Sequence, residues 1–148
     1  MESIKNLREE SKLTQFDIAN LLGIKRATYA SYETERDTIP IKHLNKLCNY
    51  FNISIDYALN LSKEMQYKNN KKDINKQIFI IRIKTLRKKN KLTQNKIASI
   101  LNIPRSTWTG YESGKYQIST LFLLEIAKRY NTSIDYLLGK IDFDPKEH

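Results

Sequence analysis

The sequence predicts an all-α protein that contains two five-helix domains in tandem. First, a shift of 79 positions places residues 4–60 over residues 83–139 without a gap, and roughly two dozen of these pairs are identical. Second, apolar residues within each copy recur every three or four positions, as they do on one face of a helix. Third, only 4 of the 148 residues are glycine, and β-branched residues do not alternate with polar ones.

The repeat also indicates where the domains begin and end. We expect the first domain at residues 1–61 and the second at residues 78–141, each long enough for a small core. The stretch between them, residues 62–77, is rich in Lys and Asn and is predicted to be a linker. The acidic tail, residues 142–148, is expected to be frayed.

Capping residues and apolar spacing place the five helices of a copy. Ile4 and Leu7 lie in a first helix, and Thr14 is a good N-cap for a second. Gly23, or Asn102 in the second copy, tolerates the positive φ that a tight turn between helices requires. A third helix is predicted from about Lys25 to Glu33. A fourth carries the apolar residues Leu44, Leu47, Cys48 and Phe51, and Ser54 caps a fifth that has Asp56 in its first turn.

Composition limits the classes of function. The single cysteine, Cys48, excludes an internal disulfide and indicates a reducing cytoplasm. His43 and His148 are the only histidines, and neither falls in a metal-ligand cluster. No nucleophile has a partnered base, and no apolar run approaches the roughly 20 residues that span a bilayer. We therefore expect a cytoplasmic protein that is not an enzyme, uses no cofactor and contacts no membrane. The net charge of +10 weakly favours a polyanionic partner.

The second and third predicted helices have the pattern of a helix-turn-helix. They are short, are joined by a turn of about four residues, and have a small residue, Ala19 or Ala98, inside the first. Residues 13–28 and the block Ser54-Ile55-Asp56-Tyr57 resemble the central motif and the closing helix of the Cro-type phage-repressor family. Residues 92–107 and 133–138 of the second copy resemble the same segments. The resemblance covers everything but the linker and the tail, and it implies two lambda-repressor-like domains.

This resemblance implies that the third helix of each copy enters the major groove of double-stranded DNA. By position, four residues of each copy would face base edges: Arg26, Ala27, Ala30 and Ser31, and Arg105, Ser106, Thr109 and Gly110. A guanidinium can bond guanine bidentately, so Arg26 and Arg105 are the candidates for reading sequence. Contact of these arginines with phosphate alone is an equally open alternative.

The resemblance also implies contacts with the DNA backbone. Gln15 and Gln94 open the second helix of their copies, where a helix N-terminus is electropositive. A solvated glutamine without a DNA contact is the alternative. The other candidates lie on or beside the third helix: Lys25, Thr28, Arg36, Thr107, Lys115 and Tyr116.

Some residues of the third helix are expected to be structural. Tyr29 and Trp108 are aromatic, yet we expect them to pack in the core and not to stack on bases. The resemblance further implies an internal ion pair that ties the first helix to the third, formed by Arg8 with Glu33 and by Arg87 with Glu112.

The two copies differ in charge. Residues 1–61 hold eight basic and eight acidic side chains, whereas residues 82–139 hold eleven basic and three acidic ones. Neutralisation of phosphates supplies most non-specific affinity, so the second copy is expected to bind DNA more strongly. In addition, Glu35 replaces the glycine that the second copy has at position 114, which removes the favoured C-terminal cap of the third helix.

An isoleucine-rich segment, residues 74–81, precedes the second copy and has no counterpart in the first. Ile74, Ile78 and Ile81 recur at helical spacing, so we expect the segment to extend the first helix of the second domain. Two alternatives stay open. The segment completes that domain's core, or it docks against the first domain or a second chain.

The leading hypothesis is a sequence-specific transcriptional regulator, in particular a repressor, that binds double-stranded DNA with both domains. A homodimer of this regulator would cover a longer site with four domains. The alternative is a protein-interaction module, such as an antitoxin or an adapter of another regulator, with a protein partner at the near-neutral first domain or at residues 74–81. RNA binding ranks below both, because the sequence resembles no common RNA-binding module.

Overall fold

The computed structural model describes residues 1–147 and confirms the all-α prediction, because these residues form ten helices and no strand. None of the helices within this range is long and apolar enough to cross a bilayer. The first copy contains α1 (Glu2–Glu10), α2 (Gln15–Leu22), α3 (Arg26–Glu33), α4 (Ile41–Tyr50) and α5 (Ile55–Ala58). The second contains α6 (Lys76–Lys89), α7 (Gln94–Ile100), α8 (Arg105–Ser113), α9 (Thr120–Tyr130) and α10 (Ile134–Leu137).

The chain divides into two compact units, Met1–Lys72 and Asp73–His148. Each unit buries its own set of aliphatic side chains, as separate small domains do. In the first unit, Leu44 and Leu47 are fully buried, and in the second Leu123 and Ile126 are fully buried. The division falls inside the stretch that the sequence presents as a linker.

The helix ends have the capping geometry expected from the sequence. Thr14 Oγ1 accepts a hydrogen bond from the Asp17 N–H at 3.0 Å, and the Asp17 carboxylate accepts one from the Thr14 N–H at 2.8 Å. Gly23 and Asn102 both have positive φ, 68° and 56°, in the turn that follows α2 or α7. The predictions for these caps and turns are confirmed.

Most of the stretch predicted to be a linker packs against the first unit. The Met65 carbonyl accepts a hydrogen bond from the Ser54 N–H at 2.6 Å, and Tyr67 Oη donates to Asp56 Oδ2 at 3.0 Å. The side-chain amides of Asn45 and Asn49 donate to the Lys72 carbonyl at 3.1 Å and 3.0 Å. Residues 62–72 are therefore attached to α4 and α5, and α6 begins at Lys76, still within the predicted linker.

The prediction of a frayed tail is wrong for residues 142–147. The Asp144 carboxylate accepts hydrogen bonds from Thr132 Oγ1 at 2.7 Å and from the Ser133 N–H at 3.2 Å. Lys89 and Glu147 form an ion pair at 2.7 Å. The tail is ordered because its carboxylates pair with groups on α6 and before α10. The last residue of the predicted tail, His148, lies outside the described residues.

Most of the isoleucine-rich segment extends the first helix of the second unit, as predicted, but Ile74 precedes α6, which begins at Lys76. α6 has 14 residues and α1 has nine. Phe79 is buried within the second unit, whereas Ile81 is 64% exposed. The alternative in which the segment completes the core of its own domain therefore holds for Phe79, whereas Ile74, Ile78 and Ile80 are half-buried and Ile81 is exposed.

Candidate nucleic-acid interface

A helix-turn-helix is present in each unit. α2 and α3 are separated by three residues and α7 and α8 by four, which brings each second helix close to the end of the first. Ala19 and Ala98 are 1% and 2% exposed, so there is no room for a larger side chain at either place. The small residue inside the first helix of the motif thus has the packing role that the sequence predicted.

The first turn of the third helix is exposed in both units. In the first unit, Lys25 is the N-cap of α3, and it and the following residues, Arg26, Ala27 and Thr28, all face solvent. In the second unit, Arg105 and Ser106 are exposed and Thr107 is half-buried. Ala30 and Thr109, one turn further along, are half-buried. Most of the residues predicted to face base edges therefore lie on an accessible surface.

The predictions for Ser31 and Gly110 need correction, because neither can reach a base edge. Ser31 is only 3% exposed, and its hydroxyl donates to the Thr28 carbonyl at 2.6 Å. Gly110 is buried beneath the ring of Tyr116, since a Cβ at residue 110 would lie 2.1 Å from Tyr116 Cδ2. Tyr116 is 47% exposed, so its ring and not Gly110 presents the surface at the middle of α8.

The predicted backbone contacts that follow the third helix are exposed in both units. Lys115 lies over the Tyr116 ring, with its ammonium 5.4 Å from the ring centroid. Arg36, at the position equivalent to Lys115, is exposed and lies 4.0 Å from the Asp37 carboxylate. The cation of the first unit therefore has an acidic neighbour, whereas that of the second has an aromatic one.

The internal ion pairs are confirmed in both units. Arg8 Nε donates to Glu33 Oε2 at 2.7 Å, and Arg87 Nε donates to Glu112 Oε1 at 2.5 Å. The two carboxylate side chains are only 3% and 2% exposed. Each pair ties the first helix of its unit to the end of the third helix.

Both glutamines that open the second helix are engaged within the protein. Gln15 Nε2 donates to Glu33 Oε1 at 3.0 Å, and Gln15 Oε1 accepts a hydrogen bond from Arg26 Nη1 at 2.9 Å. In the second unit, Gln94 Nε2 donates to Glu112 Oε2 at 2.6 Å, and Arg105 Nη2 donates to Gln94 Oε1 at 3.4 Å. This bridge was not predicted from the sequence, although a Gln and an Arg recur 11 residues apart in both copies.

The bridge links the buried ion pair to the exposed arginine of the third helix. In each unit a chain of hydrogen bonds runs from an arginine of the first helix through Glu and Gln to Arg26 or Arg105. A guanidinium held on one side by an amide oxygen has fewer orientations to lose when it binds a ligand. The arrangement thus orients a cation at the start of an exposed helix.

The hydrogen bonds to the two buried glutamates, foremost those from Arg8 and Arg87, keep them ionised. Burial alone would raise the pKa of Glu112, but hydrogen bonds from Arg87 and Gln94 outweigh burial and lower it. The pKa of Glu33 is lowered in the same way by Arg8, Tyr29 and Gln15, against the effect of burial. Each carboxylate is therefore a charged partner for its arginine at neutral pH.

Acidification is expected to remove the stability that the ionised Glu112 contributes through its pair with Arg87. The folded-state pKa of Glu112 lies below its usual value of 4.5, so its ionised form stabilises the folded state above pH 4.5. That contribution disappears as the pH falls through the lowered pKa. Urea unfolding from neutral pH to below 4.5 is expected to show a smaller acid-induced loss of stability for Glu112→Gln than for the wild type. If the free energy of unfolding depended on pH identically in the two proteins, the lowered pKa of Glu112 in the folded state would be contradicted.

Tyr29 and Trp108 pack in the core, as predicted. Both are 0% exposed, and Tyr29 Oη donates to Glu33 Oε2 at 2.6 Å. Trp108 packs edge-on against Tyr111 with the ring centroids 6.1 Å apart. Neither ring is available for stacking on a base.

The end of the third helix retains its left-handed residue in both units. Gly114 has φ 79°, and Glu35 has φ 59° at the equivalent position. The expected loss of the glycine cap therefore does not change the backbone conformation. It places an L-residue where glycine is usual, and α3 ends one residue earlier than α8 relative to the repeat.

Comparison with known proteins agrees with this geometry. A family model of the helix-turn-helix domain matches residues 1–64 and again residues 80–142. Three similar proteins are HTH-type transcriptional regulators of Bacillus subtilis (strain 168). YobD is 30% identical over 73 residues, which are 49% of this chain and 65% of YobD. YqaE is 38% identical over 58 residues, 39% of this chain and 50% of YqaE. ImmR is 38% identical over 65 residues, 44% of this chain and 51% of ImmR.

These matches span between half and two thirds of the relatives' own lengths. No solved structure matches the chain. The two family matches together cover most of the sequence, and each contains one helix-turn-helix of the geometry described above. The chain therefore belongs to the helix-turn-helix domain family, of which it carries two copies in tandem.

Proposed function

We propose that the protein is a sequence-specific regulator of transcription, in particular a repressor, that binds double-stranded DNA through the first turns of α3 and α8. The observation that carries this proposal is the exposed arginine at the start of each of these helices, held by a glutamine. An arginine in this place can donate two hydrogen bonds to guanine in the major groove. The three similar proteins of Bacillus subtilis, all named as transcriptional regulators, support the same class of function.

The contacts with the DNA backbone would come from residues around these helices. Gln15 and Gln94 have a second amide hydrogen beside the bond to glutamate, and that hydrogen can reach a phosphate at the N-terminus of α2 or α7. Thr28, Thr107, Arg36, Lys115 and Tyr116 lie on or just after the third helix. Charge makes the second unit the stronger binder, since residues 82–139 carry eleven basic and three acidic side chains.

Two units on one chain can occupy two half-sites, about one helical turn or roughly 34 Å apart on the same face of the duplex. Because the residues of α3 and α8 differ, the two half-sites need not be identical. A homodimer, or a protein partner at the near-neutral first unit, stays a prediction, as does a cytoplasmic location.

The test is selection of bound sites from a random pool of DNA duplexes with the full chain. We expect a recovered consensus with two unequal half-sites, each containing a guanine at the position faced by Arg26 or Arg105. Recovery of one short half-site would show that a single unit reads sequence. A pool without enrichment would overturn sequence-specific binding and leave the protein-interaction alternative.

A further inference from the structure

The N-terminal part of α6 is firmly attached to the second unit. α1 begins at Glu2, which aligns with Ile81 in the repeat, whereas α6 begins five residues earlier at Lys76. The Asn75 N–H donates to the Leu138 carbonyl at 2.8 Å, and the Asn75 side chain caps the helix by accepting from the Ile78 N–H at 3.0 Å. Phe79 is only 7% exposed. The backbone of this first part of α6, residues 76–80, is therefore held in a defined place on the second unit.

Two glycines make room for this part of α6. A Cβ at Gly114 would lie 2.7 Å from Lys76 Cε and 2.8 Å from Ile80 Cδ1, and a Cβ at Gly139 would lie 2.9 Å from Asn75 Cβ. The equivalent residues of the first unit, Glu35 and Asn60, have positive φ of 59° and 61° without being glycine. Backbone conformation alone thus does not demand glycine at these positions. At Gly139 the close approach of Asn75 Cβ and Ile78 Cβ favours glycine, whereas at Gly114 the nearby atoms are the ends of the flexible side chains of Lys76 and Ile80.

Lys76 consequently lies at the end of the third helix of the second unit. Its Nζ is 3.5 Å from the place of a Cβ on Gly114, the residue just before Lys115. Lys76, Lys115 and Tyr116 are all exposed. In the first unit the same edge carries Glu35 and Asp37 with Arg36 between them, and the Met1 ammonium lies 3.1 Å from the Glu35 carboxylate. The second unit therefore has an excess of positive charge at this edge, whereas opposite charges balance at the same edge of the first unit.

We propose that Lys76 contacts a DNA phosphate beside the segment bound by α8, as an addition to the contacts that the helix-turn-helix itself provides. The proposal rests on DNA binding by α8. A phosphate at this edge would be attracted by the ammonium groups of both Lys76 and Lys115. One lost phosphate contact lowers the slope of log K against log salt by about 0.9 for duplex DNA.

The test uses the full chain, a fluorescently labelled random-sequence duplex, and binding measured by anisotropy over a range of salt concentrations. Lys76→Gln is expected to reduce the salt slope by about 0.9, and Lys76→Arg is expected to restore it. Lys128→Gln is the matched control, because Lys128 is exposed in the last turn of α9, at the opposite end from the loop that follows α8. Its slope is expected to equal that of the wild type.

Three results would overturn the proposal. An unchanged slope with a lowered melting temperature for Lys76→Gln would show that the lysine only compensates the C-terminal dipole of α8. If Lys76→Gln and Lys128→Gln reduced the salt slope equally, the effect would come from general attraction between the positively charged protein and DNA and not from a specific contact. Absence of binding by the wild type would overturn this contact and the proposed function together. If site selection gave no enrichment and Lys76→Gln still reduced the salt slope as expected, the Lys76 contact would be supported. Only sequence-specific binding would then be contradicted.

Discussion

Replacement of Glu112 by alanine is expected to lower the free energy of unfolding of the second unit by about 3–5 kcal/mol. The substitution leaves the guanidinium of Arg87, 11% exposed, without its carboxylate, and it also removes the acceptor of Gln94. The free-energy cost of a buried charge without a partner is larger than the net stabilisation that the intact ion pair provided. Urea unfolding followed by tryptophan fluorescence measures this effect in the second unit alone, since Trp108 is the only tryptophan of the chain and is fully buried there.

Glu125→Ala is the matched control for this prediction. Glu125 and Arg129 form an ion pair one turn apart on α9, at 3.5 Å, and both side chains are about half exposed. A pair of this kind contributes less than about 1 kcal/mol, so the control should unfold close to the wild type. The structural role of Glu112 would be refuted if Glu112→Ala kept the melting temperature and yet abolished DNA binding.

Replacement of Arg105 by alanine is expected to weaken binding to the selected DNA site by about 1–3 kcal/mol and to relax specificity at one base position. The side chain is exposed, so the free energy of unfolding should change little. Anisotropy titrations with the selected site and with single-base variants measure both effects. Arg105→Lys separates the two roles left open by the sequence: a bidentate base contact is lost in the lysine variant, whereas a phosphate contact is largely retained.

Arg26→Ala in the first unit provides the comparison. In the wild type, Arg26 donates a hydrogen bond to Gln15 Oε1 at 2.9 Å, and Arg105 donates one to Gln94 Oε1 at 3.4 Å. Residues 1–61 have no net charge, so we expect a smaller loss of affinity than for Arg105→Ala. Equal losses in the two variants would contradict the proposed difference between the units.

Much of the fold could be predicted because its signals are local and occur twice. The Thr14 cap, the turn at Gly23 or Asn102 and the spacing of Leu44 and Leu47 follow from backbone conformation and burial of one helix face. The repeat supplied an independent copy of each signal. The ion pairs of Arg8 and Arg87 came instead from family resemblance, since no spacing rule connects residues 25 positions apart.

The features that the sequence analysis missed depend on single side-chain directions or on backbone carbonyls. Residues 62–72 are polar and have no apolar period, and they attach through the Met65 and Lys72 carbonyls, which every residue possesses. The burial of Gly110 depends on the rotamer of Tyr116, six residues further along the chain. In the same way, the presence of a glutamine does not reveal whether its amide points to solvent or to Glu33 and Arg26.

The hydrogen bond between Tyr67 and Asp56 bears on how the protein can be dissected. The helix-turn-helix match ends at residue 64, so a fragment cut at that boundary would omit both Tyr67 and the Met65 carbonyl that accepts from the Ser54 N–H. In such a fragment α5 would be less stable, so its measured affinity for DNA would reflect the lost stability as well as the DNA contacts. The smallest autonomous piece should extend to Lys72, where the side-chain amides of α4 meet the backbone.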